Sequence, residues 1–271
     1  MRINLLKEGF IEDNDVYVLE CLQETVIVNN NYLGINLYNK NLEQLKSINI
    51  FEGILIHTVF KHPYKNEVIL YCPDNQVFVY LNLEKSFQKV VNFIGNMDEY
   101  GLSSVYFWSG NEVLFFCGNK KYYRIKIGFF SLKEIDLLEL EKEYPTFYTM
   151  LNNSSKYLLH EGGTEILTYE DRINNEIIYL NYKNNVRIAS KIPNKLGHEV
   201  MHLDNGLFLS VHEEFIQGIR EGVEVTIIES VPPYTIFKAR KQNEQNTNFI
   251  VLSGNKSNSQ QCILSRYEVE Y

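Results

Sequence analysis

Asn66-Glu67-Val68-Ile69-Leu70-Tyr71-Cys72 is a short apolar run behind a polar pair, and it returns 45 residues later as Asn111-Glu112-Val113-Leu114-Phe115-Phe116-Cys117. A weaker copy reads Ser155-Lys156-Tyr157-Leu158-Leu159-His160. Runs of the same kind stand at Val26-Ile27-Val28, Phe208-Leu209-Ser210 and Phe249-Ile250-Val251. The first apolar residues of the six runs are separated by 42, 45, 44, 51 and 41 residues. A near-constant period of this size marks one supersecondary unit copied several times along the chain.

Each run has companions. Ile54 to Phe60, Ser104 to Trp108 and Phe147 to Leu151 come before three of them. A further run follows, and Val77-Phe78-Val79-Tyr80-Leu81-Asn82 matches Glu176-Ile177-Ile178-Tyr179-Leu180-Asn181. A fourth, Val90 to Ile94 or Val186 to Ile192, closes the unit. Branched and aromatic residues suit a pleated surface, and the separators Pro73-Asp74-Asn75, Gly118-Asn119 and Asp204-Asn205-Gly206 suit tight turns. The best helical candidate is Leu132 to Tyr144, through Leu137, Leu138 and Glu141 to Glu143, with an outer strand expected in its first part. Phe147 to Leu151 is expected to be an innermost strand.

Four strands per unit of roughly 40 to 50 residues describe a blade. Over essentially its whole length the chain resembles the six-bladed β-propeller superfold. It lacks the Trp-Asp dipeptide of WD40 repeats and the recurrent Gly-Gly of kelch repeats, having only Gly162-Gly163. The resemblance implies an all-β fold of six four-stranded blades, one domain over residues 1–271. The last unit, with Tyr234 to Lys238, Phe249 to Leu252 and Cys262 to Tyr267, leaves only Glu268 to Tyr271 for a fourth strand. Arg2 to Lys7 is strand-like and is expected to pair beside Cys262–Tyr267, closing the ring and removing exposed edges.

The net charge of −8 argues against a nucleic-acid partner, which wants a basic face. Lys238, Arg240 and Lys241 form a local basic cluster, read as a solvated rim. Hydrophobic residues make up 45% of the chain, enough for a sizeable core. No apolar stretch reaches the roughly 18 residues of a membrane span, and Lys7, Glu8, Glu12 and Asp13 interrupt any signal-peptide core. A cytoplasmic protein without a membrane partner is expected. Cys21, Cys72, Cys117 and Cys262 form no C-x-x-C pair and fit a reducing compartment.

His198-Glu199-Val200-Met201-His202 matches the H-E-x-x-H zinc-peptidase pattern. That chemistry needs a helix, which stacks residues i and i+4 over one metal ion. The repeat instead places the segment on an innermost strand, where residues four apart lie roughly 13 Å from each other. Two imidazoles held about 2 Å from one zinc cannot span that gap. A third ligand at the usual spacing would be Phe208. Neither metal nor cofactor is expected.

No nucleophile elbow, phosphate loop or dinucleotide fingerprint is present. His160-Glu161 and His212-Glu213-Glu214 end apolar runs and read as polar loop mouths. Tyr32, Tyr64, Tyr100, Tyr144 and Tyr234 fall between runs; this reflects either interface tyrosines or the chain's general richness in tyrosine. The 51-residue interval assigns its excess to Glu161–Asn175, expected to be a long loop. Loops carry function. The candidate binding residues are therefore Tyr169, Glu170, Asp171 and Arg172, with Tyr144 and Tyr234 as neighbours, and the expected role is a non-enzymatic protein-binding module, a scaffold or an immunity protein. The alternative is a propeller enzyme or carbohydrate binder with its site in the central funnel.

Overall fold

A computed structural model describes residues 2–92, 106–116, 122–153, 155–162, 166–181, 184–204, 206–242 and 247–270. Cys117, Tyr100 and Glu165 lie outside the described residues. The chain gathers into two compact units, Met1–Ile54 with Ser190–Tyr271, and Leu55–Ala189.

The first unit holds three four-stranded antiparallel sheets. One runs β2 (Leu19–Leu22), β3 (Thr25–Asn30), β4 (Gly34–Tyr38), β5 (Gln44–Asn49). The next runs β18 (Glu199–Asp204), β19 (Leu207–Val211), β20 (Phe215–Arg220), β21 (Val223–Glu229). The last combines β22 (Tyr234–Lys241), β23 (Asn248–Asn255) and β24 (Asn258–Glu270) with β1 (Arg2–Ile11) as its outermost strand. Arg2 pairs with Glu270 and Ile11 with Cys262, with a bulge between Leu5 and Lys7. The N-terminal strand therefore completes the last blade, as its sequence position required.

The second unit holds three sheets of the same meander. They are β6 (Thr58–Lys61) to β9 (Phe87–Asn92) through β7 (Glu67–Cys72) and β8 (Val77–Asn82); β10 (Tyr106–Ser109) to β13 (Ser131–Glu134) through β11 (Glu112–Phe116) and β12 (Tyr122–Lys126); and β14 (Tyr157–Gly162) to β17 (Val186–Lys191) through β15 (Ile166–Asp171) and β16 (Glu176–Asn181). Six four-stranded blades make the chain a six-bladed β-propeller.

The core lies between blades. In the second unit Phe60, Tyr71, Phe78, Tyr106, Trp108 and Phe115 form one buried aromatic cluster, with Phe60 4.8 Å from Tyr106 and 5.6 Å from Phe115 between ring centroids. In the first unit Leu203, Leu209, Val211, Ile236, Phe249 and Val251 fill the corresponding space. Apolar side chains on both faces of each middle strand explain why the runs read as continuous rather than alternating.

Two expectations are corrected. Phe147–Leu151 is not a strand: α1 (Leu137–Glu143) and α2 (Pro145–Asn152) stand between β13 and β14. Asp136 caps α1, its side chain accepting from the Leu138 N–H at 2.8 Å, and Pro145 opens α2, where its missing N–H costs nothing. Tyr157–Leu159 is consequently the innermost strand of its blade, and Ile166–Asp171 is the second. The second strands β11 and β15 begin at Glu112 and Ile166, 54 residues apart, so the extra length is the helical pair and not a loop over 161–175.

Candidate functional site

Innermost strands bring charged residues together in the first unit. β22 lies beside both β2 and β18. Arg240, on β22, donates from Nε to Glu20 Oε1 of β2 at 2.9 Å. Its Nη1 and Nη2 donate to Glu199 Oε2 and Oε1 of β18 at 2.7 and 3.1 Å, and Nη1 also reaches the Ala239 carbonyl at 2.8 Å. One planar guanidinium thus ties three blades, which its fixed fork of donors suits and a lysine would not. Burial alone would lower Arg240's pKa, but Glu199 and Glu20 hold it well above normal. Burial works to raise the Glu199 carboxyl, and Arg240 wins, keeping it below the usual range. The solvated-rim reading of Lys238, Arg240 and Lys241 is therefore corrected: Arg240 is a largely buried staple. What the composition hid was the partners, 220 and 41 residues away.

Lys238 sits two residues earlier on β22 and is half-buried. Among the described residues its ammonium has neither a hydrogen-bond acceptor nor a carboxylate in ion-pair range. Burial and then Arg240's charge push its pKa down, against the pull of Glu199 and Glu20. A bulge between Ile236 and Lys238 turns Phe237 outward, 42% exposed. The exposed His198 donates from Nε2 to the Phe237 carbonyl at 2.8 Å.

The H-E-x-x-H segment is strand β18. Glu199 belongs to the staple, and His202 is buried against Phe208, its pKa pushed down to about 4 by burial and then by Lys241. Just before β18, a Cβ at Gly197 would collide with the Val211 carbonyl, so only glycine brings the chain this close to β19. The Gly197 N–H donates to Ser210 Oγ at 2.8 Å, and Ser210 Oγ lies 3.2 Å from His212 Nε2.

In the second unit the helices pack between blades. Leu140 and Met150 join Phe107, Leu114, Leu167, Tyr169 and Ile178 in one buried cluster. Arg124 of β12 fastens α1 by contacts to Glu139 at 2.7 Å and Glu143 at 3.2 Å, with Glu112 of its own blade at 3.3 Å. On α1, Leu137 and Leu138 remain 43% and 72% exposed.

The expected binding residues divide accordingly. Tyr169 is buried in β15 with the Tyr157 ring edge-on to it, ring centroids 5.8 Å apart. Asp171 is buried too, and it caps the β15–β16 turn by accepting from the Ile173 and Asn174 N–H groups at 3.0 and 3.1 Å and from Asn174 Nδ2 at 2.7 Å. Burial works to raise the Asp171 pKa, but those bonds hold it below normal. Glu170 lies 3.8 Å from His160 Nε2 and 3.7 Å from Arg172 Nε. Arg172 is the more exposed of that pair. The structure thus brings Tyr144, whose ring lies tilted against Phe107 at the α1–α2 junction, into the same cluster as Tyr169. Tyr234 opens β22 in the other unit. Trp108 is wholly buried.

No known family profile matches this sequence, and no curated protein is detectably similar to it. Solved structures are similar in fold. The β-propeller domain of Cps50 (Swd1) from Myceliophteria thermophila superposes with a TM-score of 0.58 at 6% identity, over 99% of this chain and 100% of that one. YCF48, solved bound to D1 peptide, gives 0.60 at 8% identity, over 99% and 97%. The likeness is one of propeller fold. No helix among the described residues is long and apolar enough to cross a membrane.

Proposed function

We propose that this propeller is a non-enzymatic protein-binding module, acting as a scaffold or as an immunity or inhibitor protein, and that the α1–α2 insertion carries its partner-binding surface. The observation behind this reading is the exposure of Leu137 and Leu138 on a helix that Arg124 holds in place. Exposed leucines on a fixed element offer apolar area that needs no ordering on binding. The insertion is also what breaks the repeat, and additions to a repeated scaffold are where function is grafted. Tyr144, at the helix junction, and Arg172 are further candidates on the same unit, and Tyr234 is a separate candidate on the other. That YCF48, a protein of similar fold, holds a peptide supports the class of function.

The test is quantitative affinity capture from native cell extract, comparing the wild-type chain with Leu137→Ser/Leu138→Ser. One stoichiometric partner recovered by the wild type and lost by the variant is the expected result. Equal recovery by both moves the site elsewhere. Absence of any stoichiometric partner overturns the binding-module reading.

A further inference from the structure

Among the described residues each blade ends on an outermost strand with no further strand beside it in its sheet. Such an edge invites pairing with another chain, and a lysine or arginine on it is a common guard. Five of the six outermost strands carry one: Arg2 and Lys7 on β1, Lys46 on β5, Lys89 on β9, Lys133 on β13, and Arg187 and Lys191 on β17. β21, Val223-Glu224-Val225-Thr226-Ile227-Ile228-Glu229, carries none. It presents Val223 and Val225 instead, 63% and 51% exposed, and its charged residues are Glu224 and Glu229. The strand leaves β20 through the two-residue turn Glu221-Gly222, both at positive φ, with Arg220 paired to Val223. The pair that closes such a turn exchanges both backbone bonds, so Glu224 and Thr226 direct theirs to the open edge. Asn194 donates to Glu224 Oε2 at 2.9 Å, which orients that carboxylate, and a bulge at Ile227 ends the regular stretch.

We propose that β21 is a strand-addition site for another protein, taking an extended segment with apolar residues at alternate positions and lysine or arginine between them. Side chains alternate across a strand, so Val223 and Val225 lie on one face and Glu224 and Thr226 on the other. The apolar residues of the added segment continue the valine face, its basic residues meet Glu224, and its backbone pairs with the Glu224 and Thr226 groups. Charge decides the occupant. Two β21 strands side by side would bring their glutamates together with no cation between them, so the term that favours a basic segment disfavours a second copy. The site lies on the first unit and does not depend on the α1–α2 surface, so either proposal survives the failure of the other.

The test is a titration of the uniformly 15N-labelled chain, followed by NMR, with three end-capped peptides: Val-Lys-Val-Lys-Val-Lys, its Val-Glu counterpart, and the Val-Lys peptide N-methylated at alternate residues. Saturable shifts of the β21 amides with the unmethylated Val-Lys peptide alone are expected, with slowed hydrogen exchange at Glu224 and Thr226. Val225→Lys, which supplies the missing guard at an exposed position, should weaken that binding at least tenfold with the Tm little changed. No saturation, equal binding of the Val-Glu or the N-methylated peptide, shifts confined to other strands, or an unchanged affinity in Val225→Lys would each overturn the proposal. So would a concentration-dependent dimer of the peptide-free chain that Val225→Lys abolishes, since it gives the edge to a second copy. If Val225→Lys fails to fold, Val223→Lys takes its place, and the wild-type titrations alone still decide whether the site exists.

Discussion

Arg240 grips Glu199 with both terminal nitrogens, Nη1 on Oε2 at 2.7 Å and Nη2 on Oε1 at 3.1 Å, across 41 residues of sequence. Its third nitrogen holds Glu20, so the innermost strands of three blades share one ion. Removing the cation leaves two carboxylates facing each other away from bulk water. Arg240→Met should destabilise the chain by about 3 kcal/mol, as expected when one member of a buried pair is lost. The triple variant Glu20→Gln/Glu199→Gln/Arg240→Met should recover much of that loss. Chemical denaturation of both variants checks this; an equal loss in both would show that the charges themselves were unimportant.

His202 gives the fold an acid sensitivity. Its pKa falls from 6.5 to about 4 on folding. Between those values the unfolded chain binds the proton and the folded chain does not, so stability is full above about pH 6.5 and declines as the pH drops toward 4. The contribution is about 3 kcal/mol at most. His62 and His212 are shifted the same way and add smaller slopes. In His202→Leu, the midpoint of urea unfolding should fall less between pH 6.5 and 4.5 than in the wild type. Parallel pH profiles would assign the sensitivity to other groups.

Closure by β1 is testable by shortening it. Deleting residues 1–7 removes the pairs from Arg2–Glu270 to Lys7–Arg266, together with the half-buried Ile3 packed on the core. Loss of about 2 kcal/mol follows from the apolar area alone, a fall of roughly 4–8 °C in Tm for a domain of this size. A melting temperature within a degree of the full chain would show that β1 is dispensable for closure.

Asp171 was a candidate contact and is a turn cap. Asp171→Ala should cost about 1–3 kcal/mol, because the Ile173 and Asn174 N–H groups lose a charged acceptor in a partly buried turn. Replacing Tyr169–Arg172 with Gly-Ser should lower the Tm sharply, since it removes the Asp171 cap, the buried Tyr169 and the second half of β15. Asp171→Ala with an unchanged Tm would return the residue to the binding surface.

The sequence by itself determined the blade count, the four-strand unit and the N-terminal closure. Those follow from local chemistry: apolar runs from Val26 to Phe249 at a near-constant step, with turn residues between them, suit a repeated four-stranded unit whose middle strand is buried on both faces. It also carried helix-start marks, Asp136 three residues ahead of Glu139 inside the helical candidate Leu132 to Tyr144, and Pro145 at the start of a second helix where the repeat predicts a strand. The regular step masked the second helix, because Phe147 to Leu151 stood where a strand was due. Only the tertiary structure decided which charges are buried. Lys238, Arg240 and Lys241 look alike in a string of letters; Arg240 becomes a staple because folding sets Glu20 and Glu199 on either side of it.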